Sequence, residues 1–390
     1  MRGDGQAGSV TGFVLATFAF FVAMVGTTLP TPLYPLFEAR YGFGSLLVTV
    51  IFAIYAFGVI GGLVLFGNLS DRLGRKPILL LGLGLSAVSA LLFLLTGSLV
   101  PIYAGRIVSG VSAGIFTGTA TAYLIDLAPE GRRRLASFVA VFANLGGLGG
   151  GTLLAGLLAE WAPDPLRTPF AVHLGLVAIA TAGLLRARET VERGTFTFRL
   201  QRLGVPHEVV SVFVRAAAAG FAAFAVSGVF GSVAPEFLAL GLHRHSPALA
   251  GLLVFTLFVL SVAGQALVVR LPNALASGCG LLVGGVTLLA VSLGIDSLPA
   301  LFAAAAVGGL GQGVIVGAGL AAIAERAPAA RRGETASSFF VVLYFGLSLP
   351  VIAAGVAIHY TSLRSAGIGF CAGAGLLALG VLASPIRSDA

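Results

Sequence analysis

Gly67-Asn68-Leu69-Ser70-Asp71-Arg72-Leu73-Gly74-Arg75-Lys76-Pro77 is a short basic turn between two long apolar runs, residues 43–66 and 77–96. Each run can cross a bilayer core as a helix, which takes ~20 apolar residues for ~30 Å. The turn then joins two helix ends. Gly67 is small enough to let neighbouring helices approach. Gly74 permits a tight turn, and Pro77 suits the first turn of a helix, where a missing N–H costs nothing. Asp71 stands between the two helix ends and can accept hydrogen bonds from their free N–H groups. Arg75 can reach a carboxylate on an adjacent helix, for which Asp126 is the candidate. Attraction of cations to one membrane face accounts for Arg72, Arg75 and Lys76, but not for Asp71 or the glycines.

Outward from this turn the pattern repeats. Twelve apolar runs are expected as spans: 10–31, 43–66, 77–96, 99–125, 135–159, 168–185, 209–231, 247–269, 272–293, 299–324, 335–358 and 363–384. They are far longer than the ~10-residue alternating strands of a membrane barrel. The chain of 390 residues is 57% apolar and 10% charged, against roughly 25% charged in a soluble domain. Its mean hydropathy is +1.02. The net charge of +8 comes from arginines scattered over short loops rather than from a stripe, which argues against nucleic acid. Cys279 and Cys371 lie in apolar runs, so neither a disulfide scaffold nor a cysteine metal site is expected. The first apolar run exceeds the ~7–15 residues of a signal h-region and has no small-x-small cleavage site, so it reads as the first span.

One loop is long. Residues 186–208 hold Arg186, Arg188, Arg193, Arg199 and Arg202 with Glu189, Glu192 and Glu208. This linker divides the chain into residues 1–185 and 209–390, six spans each. With the N-terminus inside, seventeen Lys and Arg face inward, among them Arg2, Arg132 to Arg134, Arg270, Arg326 and Arg387. Four face outward: Arg40, Arg167, Arg244 and Arg364. The positive-inside rule then places both termini and the linker in the cytoplasm of a bacterial-type plasma (inner) membrane.

The halves are related by a shift of 199 residues. Gly110, Gly114 and Gly118 fall on Gly309, Gly313 and Gly317; Asp126 falls on Glu325; Ala128-Pro129 falls on Ala327-Pro328. Arg132-Arg133 falls on Arg331-Arg332, and Gly147 and Gly156 fall on Gly346 and Gly355. A parallel repeat of two six-helix halves, with a site between them, is a transporter architecture.

The turn at Gly67–Lys76 resembles the G-x-x-x-D-R-x-G-R-K signature of the major facilitator superfamily, and Arg106-x-x-x-Gly110-x-x-x-Gly114 resembles that family's second motif. The resemblance spans all twelve helices and implies an all-α membrane fold of two pseudo-symmetric six-helix bundles. It also implies a cytoplasmic latch built from Gly67, Asp71, Arg72, Gly74, Arg75, Lys76 and Asp126. Helix 5 carries Gly147-x-x-x-Gly151-Thr152-x-x-Ala155-Gly156. This is similar to the antiport motif of drug exporters, with Thr152 and Ala155 replacing its Pro and Gly; close packing of small residues accounts for it equally.

Charges inside spans point to function. Arg106 is the best candidate for the transport cavity, with Gly110 and Gly114 below it on the same helix. The uncharged polar candidates are Tyr34, Tyr55, Asn144, Gln265, Gln312 and Tyr344. Arg215 can snorkel to the inner interface, and His173 reads as structural. No carboxylate is expected near the middle of a span; Glu38, Glu160 and Glu236 fall outside. His243 and His245 beside Glu236 lack a further metal ligand.

The expected function is secondary transport, as a monomer, without cofactor or metal. The partners are a small-molecule substrate, the lipid bilayer and, as a candidate coupling ion, protons. Export of small, largely apolar molecules is the first reading. Import or facilitated passage of a polar or anionic metabolite held by Arg106 is the alternative. No Walker motif and no catalytic cluster supports a pump or an enzyme.

Overall fold

In hydrocarbon every backbone N–H and C=O must find its partner within the segment, so long apolar runs become helices. The computed structural model describes residues 3–95, 97–129, 131–192 and 200–384, with side chains from Val10 onward. Among these, twelve helices are long and apolar enough to cross a membrane. They are α1 Val10–Tyr41, α2 Ser45–Phe66, α3 Arg75–Leu94, α4 Leu99–Leu127, α5 Arg133–Trp161 and α6 Thr168–Arg186. Then follow α7 His207–Gly241, α8 Pro247–Arg270, α9 Ala274–Ile295, α10 Leu298–Arg326, α11 Ala329–Tyr360 and α12 Leu363–Ala383. The described residues contain no strand. Arg2, Arg193, Arg199 and Arg387, counted above for orientation, lie outside them.

Three helices exceed their expected limits by more than two residues. Hydropathy falls after Thr28 because prolines and charges enter, but α1 continues as a 3-10 turn, Thr31–Leu33, and a short helix, Tyr34–Tyr41. α11 gains a basic first turn, starting at Ala329. α7 continues beyond residue 231 through Ala234–Glu236 and a π turn, Phe237–Gly241. Glu236 therefore belongs to a helix rather than to an outer loop, and it is 5% exposed.

The chain forms two compact units. The first comprises the described residues of Met1–Leu33 and Ile54–Arg202; the second comprises Tyr34–Ala53 and Leu203–Ala390. In the first, α2 and α4 meet through bare backbone. A Cβ on Gly110 would strike the Tyr55 carbonyl and Gly58, and one on Gly114 would strike the Val59 carbonyl and Gly62. In the second, their repeat mates act alike: Gly309 lies on the Leu257 carbonyl and Gly313 on the Ser261 carbonyl, joining α10 to α8. Gly147 against Phe21 joins α5 to α1, and its mate Gly346 against Phe221 joins α11 to α7. The sequence repeat is thus a repeat of helix-pair contacts. With no solvent to drive helices together inside lipid, such close approach supplies the packing.

Polar residues within these helices are mostly satisfied at home. Thr117, Thr121, Ser227 and Thr256 each donate to the carbonyl four residues back. α8, α10 and α12 open with serine caps, Ser246, Ser297 and Ser362, whose hydroxyls accept from backbone N–H groups 3.1–3.3 Å away, filling donors that the first turn leaves empty.

Candidate functional site

The signature turn is built around one glycine. After α2, residues Ser70–Leu73 make a single helical turn, and Gly74 takes φ 101° before α3 begins at Arg75. A side chain is strained at that φ, and a Cβ there would also meet the Glu189 carboxylate. Arg75 lies at the centre. Its guanidinium pairs with Asp71, donates to Ser70 Oγ at 2.8 Å and lies 3.4 Å from Asp126 Oδ2. Asp71 is 59% exposed, so its ion pair contributes at most ~1 kcal/mol.

The first N–H groups of α3 do not turn to Asp71. They donate to Glu189, which lies in the linker: Arg75 N–H to Oε1 at 2.9 Å and Lys76 N–H to Oε2 at 3.1 Å. A carboxylate at a helix N-terminus both fills empty donors and meets the positive end of the helix dipole. The same carboxylate accepts from Thr190 N–H at 2.8 Å and Val191 N–H at 3.2 Å. Further bonds lace the linker to the turn. Lys76 Nζ donates to the carbonyls of Leu185 (2.6 Å) and Ala187 (2.9 Å) at the end of α6. Thr190 Oγ1 donates to Asp126 at 3.2 Å, and Tyr123 Oη donates to the Arg188 carbonyl. Gln201 N–H donates to the Val64 carbonyl at 2.8 Å, and Gly67 lies close to the Gln201 side chain. A polar cavity of about 530 Å³ adjoins this network, lined by Asp126, Arg133, Arg188, Glu189 and Thr190 among others. Arg72 is half-buried.

Glu189→Ala removes a cap that serves two helix N–H groups, a loss of about 1–2 kcal/mol. The purified variant should therefore unfold about 1–2 °C below the wild type in detergent. An unchanged melting temperature would mean that the strap adds nothing to stability.

The second group centres on Arg106. It is 1% exposed, the largest fully buried side chain among the described residues. Nη1 donates to the Thr27 carbonyl of α1 at 2.7 Å, and Cζ stands 4.5 Å from the centroid of the Tyr55 ring of α2. Thr27 stands just before α1 breaks, and the cation lies over an electron-rich ring face. Arg106 thus ties α4 to α1 and α2 within the first unit.

The other sequence candidates are dispersed. Gly110, Gly114, Gly147 and Gly151 are in helix-to-helix backbone contact, and Gly156 is buried. Asn144 lies in a π turn of α5, Phe142–Gly146. Tyr34, 1% exposed, belongs to the second unit. So does Gln312, whose Oε1 is buried without a hydrogen-bond partner among the described residues, and so does Gln265, whose backbone lies against Gly313. Tyr344 meets Phe224 edge to face at 5.7 Å. Arg215 Nε is buried without a partner among the described residues. His173 bonds Ser86 across 2.9 Å and fills the space over Gly26. No group of three or more metal-ligating side chains occurs among the described residues.

Sequence reasoning missed Glu189, Ser70, Thr190, Tyr123 and Thr27. The signal for Glu189 was weak, an acid just after α6 among arginines, because the turn it caps lies 114 residues earlier in the sequence.

The family model of the Major Facilitator Superfamily matches residues 16–211. The chain is 29% identical over 178 residues to multidrug resistance protein 2 of Bacillus subtilis, covering 44% of this chain and 43% of that one. It is 33% identical over 124 residues to the class D tetracycline resistance protein of Salmonella ordonez, covering 32% and 30%. The matched stretch spans less than half the length of each of these relatives. Among solved structures, the human organic anion transporter MFSD10 (TETRAN) superposes with a TM-score of 0.68 at 18% identity, over 96% of this chain and 99% of that one. A bacterial homologue of the human lysosomal transporter Spinster gives 0.68 at 15% identity, over 96% and 95%. With twelve helices long and apolar enough to cross a membrane among the described residues, the signature turn around Gly74 and a family match over half its length, this chain belongs to the major facilitator superfamily of membrane transporters.

Proposed function

We propose that the chain is a secondary active exporter of small, largely apolar molecules. It would work as a monomer, by alternating access of two six-helix halves, residues 1–185 and 209–390, joined by the linker 186–208. We place it in a bacterial plasma membrane with both termini and the Gly67–Lys76 turn in the cytoplasm, on the lysine and arginine asymmetry.

The observation that carries this reading is the commitment of Arg106. An anion carrier needs a cation that can turn to its cargo. Arg106 is 1% exposed, bonded to the Thr27 carbonyl and stacked on Tyr55. Freeing it would break a charged hydrogen bond worth about 1.5–3 kcal/mol. The relatives named for multidrug and tetracycline resistance support the same choice of cargo.

The test is loss of ethidium, a lipophilic dye, from preloaded cells that express the protein, with and without a protonophore. Faster loss that the protonophore abolishes is the expected result. Unchanged loss, with the protein shown to be in the membrane, overturns the export reading.

A further inference from the structure

Glu236 ends the short helical segment Ala234–Glu236 of α7, just before the π turn. It is 5% exposed, and Ser45, at the start of α2, donates its hydroxyl to Oε1. The Tyr34–Tyr41 segment of α1 packs on the same turn, and its Glu38 lies within electrostatic reach of Glu236. All of these residues belong to the second unit.

The surrounding ionisable groups supply no counter-charge. On the α1 segment they are Glu38, Tyr34, Tyr41 and Arg40, and Arg40 is exposed and lies over the Tyr41 ring at 5.8 Å. Between α7 and α8 they are His243, Arg244 and His245, all exposed. Pro247–Leu267 of α8 has none, and Arg215 is at the far end of α7. Among the described residues neither Glu236 nor Glu38 forms an ion pair.

Burying an ionised carboxylate without a cation costs several kcal/mol, and the hydroxyl of Ser45 offsets only part of it. Glu38 adds like-charge repulsion. A proton from water removes both costs.

We propose that Glu236 is a proton-binding site of this carrier, with Ser45 as its positioning residue and Glu38 as its electrostatic partner. The carboxylate takes a proton from water on one side of the membrane and returns it to water on the other, with no other bond made or broken. Charged and neutral Glu236 prefer different surroundings, so its proton biases the arrangement of the segments that enclose it. α2 carries that bias onward, because Ser45 and Tyr55 lie on one continuous helix and Tyr55 lies under Arg106. The coupling to cargo rests on the export reading above; proton binding does not.

Two measurements test the site. The first is the infrared difference spectrum between acidic and alkaline buffer of the purified full chain: wild type, Glu236→Gln, Glu38→Gln and Ser45→Ala. A protonated carboxylic C=O band should vanish on alkalinisation in the wild type, be absent from Glu236→Gln, and shift in Ser45→Ala and Glu38→Gln. A band that survives unchanged in Glu236→Gln overturns the proposal. The second is ethidium uptake by proteoliposomes under an imposed pH gradient. Loss of gradient-driven uptake in Glu236→Gln, with ethidium exchange retained when no gradient is imposed, supports it; wild-type gradient dependence in that variant overturns it. If the wild type moves no ethidium, the export reading fails, and the infrared band alone decides whether Glu236 binds a proton.

Discussion

Gly110→Val and Gly114→Val should each yield little or no folded protein, whereas Gly118→Ala should be neutral or stabilising. The three glycines share one helix and one spacing, but they face different surroundings. A Cβ on Gly110 or Gly114 would overlap backbone atoms of α2, while nothing lies within 4 Å of one on Gly118. Backbone cannot rotate away as a side chain can, so α2 and α4 would have to separate along their length. Overpacking of this kind costs about 3 kcal/mol or more. It would also reposition Tyr55, whose carbonyl is the atom struck first, and with it Arg106. In Gly118→Ala the opposite term wins, since alanine in a helix is favoured over glycine by roughly 0.5–1 kcal/mol. Size-exclusion profiles and melting temperatures of the three variants check this. Equal effects at all three positions would show that the ladder acts through something other than contact with α2.

Arg106→Ala should lower transport by about ten- to a hundred-fold, on a loss of 1.5–3 kcal/mol for a charged hydrogen bond. Arg106→Lys should recover little of it. Lysine keeps the charge, but its ammonium has neither the planar fork that stacks on Tyr55 nor the reach to hold the Thr27 carbonyl from the same position. Ethidium loss from cells, normalised to protein in the membrane, is the readout. Full activity in Arg106→Lys would mean that charge alone matters and would return weight to an anionic cargo.

The fold was legible because its causes are local. A span needs only about 20 apolar residues and a loop needs charge, so twelve spans could be marked by eye. The lengths of α1 and α7 were not legible, since proline and glutamate lower hydropathy without ending these helices. The signature turn was half legible. Gly74 and Arg75 announce themselves by residue type and spacing, and Arg75 does lie beside Asp126. The cap on α3 comes from Glu189, more than a hundred residues away, and no spacing rule connects the two. Arg106 stood out as an isolated charge, but its partner is a backbone carbonyl, which every residue has. Glu236 was misplaced for the same reason that α7 was cut short.

The glycine contacts have a mechanical consequence. Where α2 lies on α4, and α8 on α10, the touching surfaces are backbone, without rotamers to exchange. Such joints are stiff, because there is no alternative packing to slip into. Compliance must then reside where the helices depart from regular winding: the break at Thr31–Leu33 and the π turns Phe142–Gly146 and Phe237–Gly241. Irregular turns hold their backbone bonds less securely, so within the spanning helices amide hydrogen exchange should run faster at these three places than along the glycine seams. The helix pairs would then act as beams, with the working hinges lying in a few residues of α1, α5 and α7.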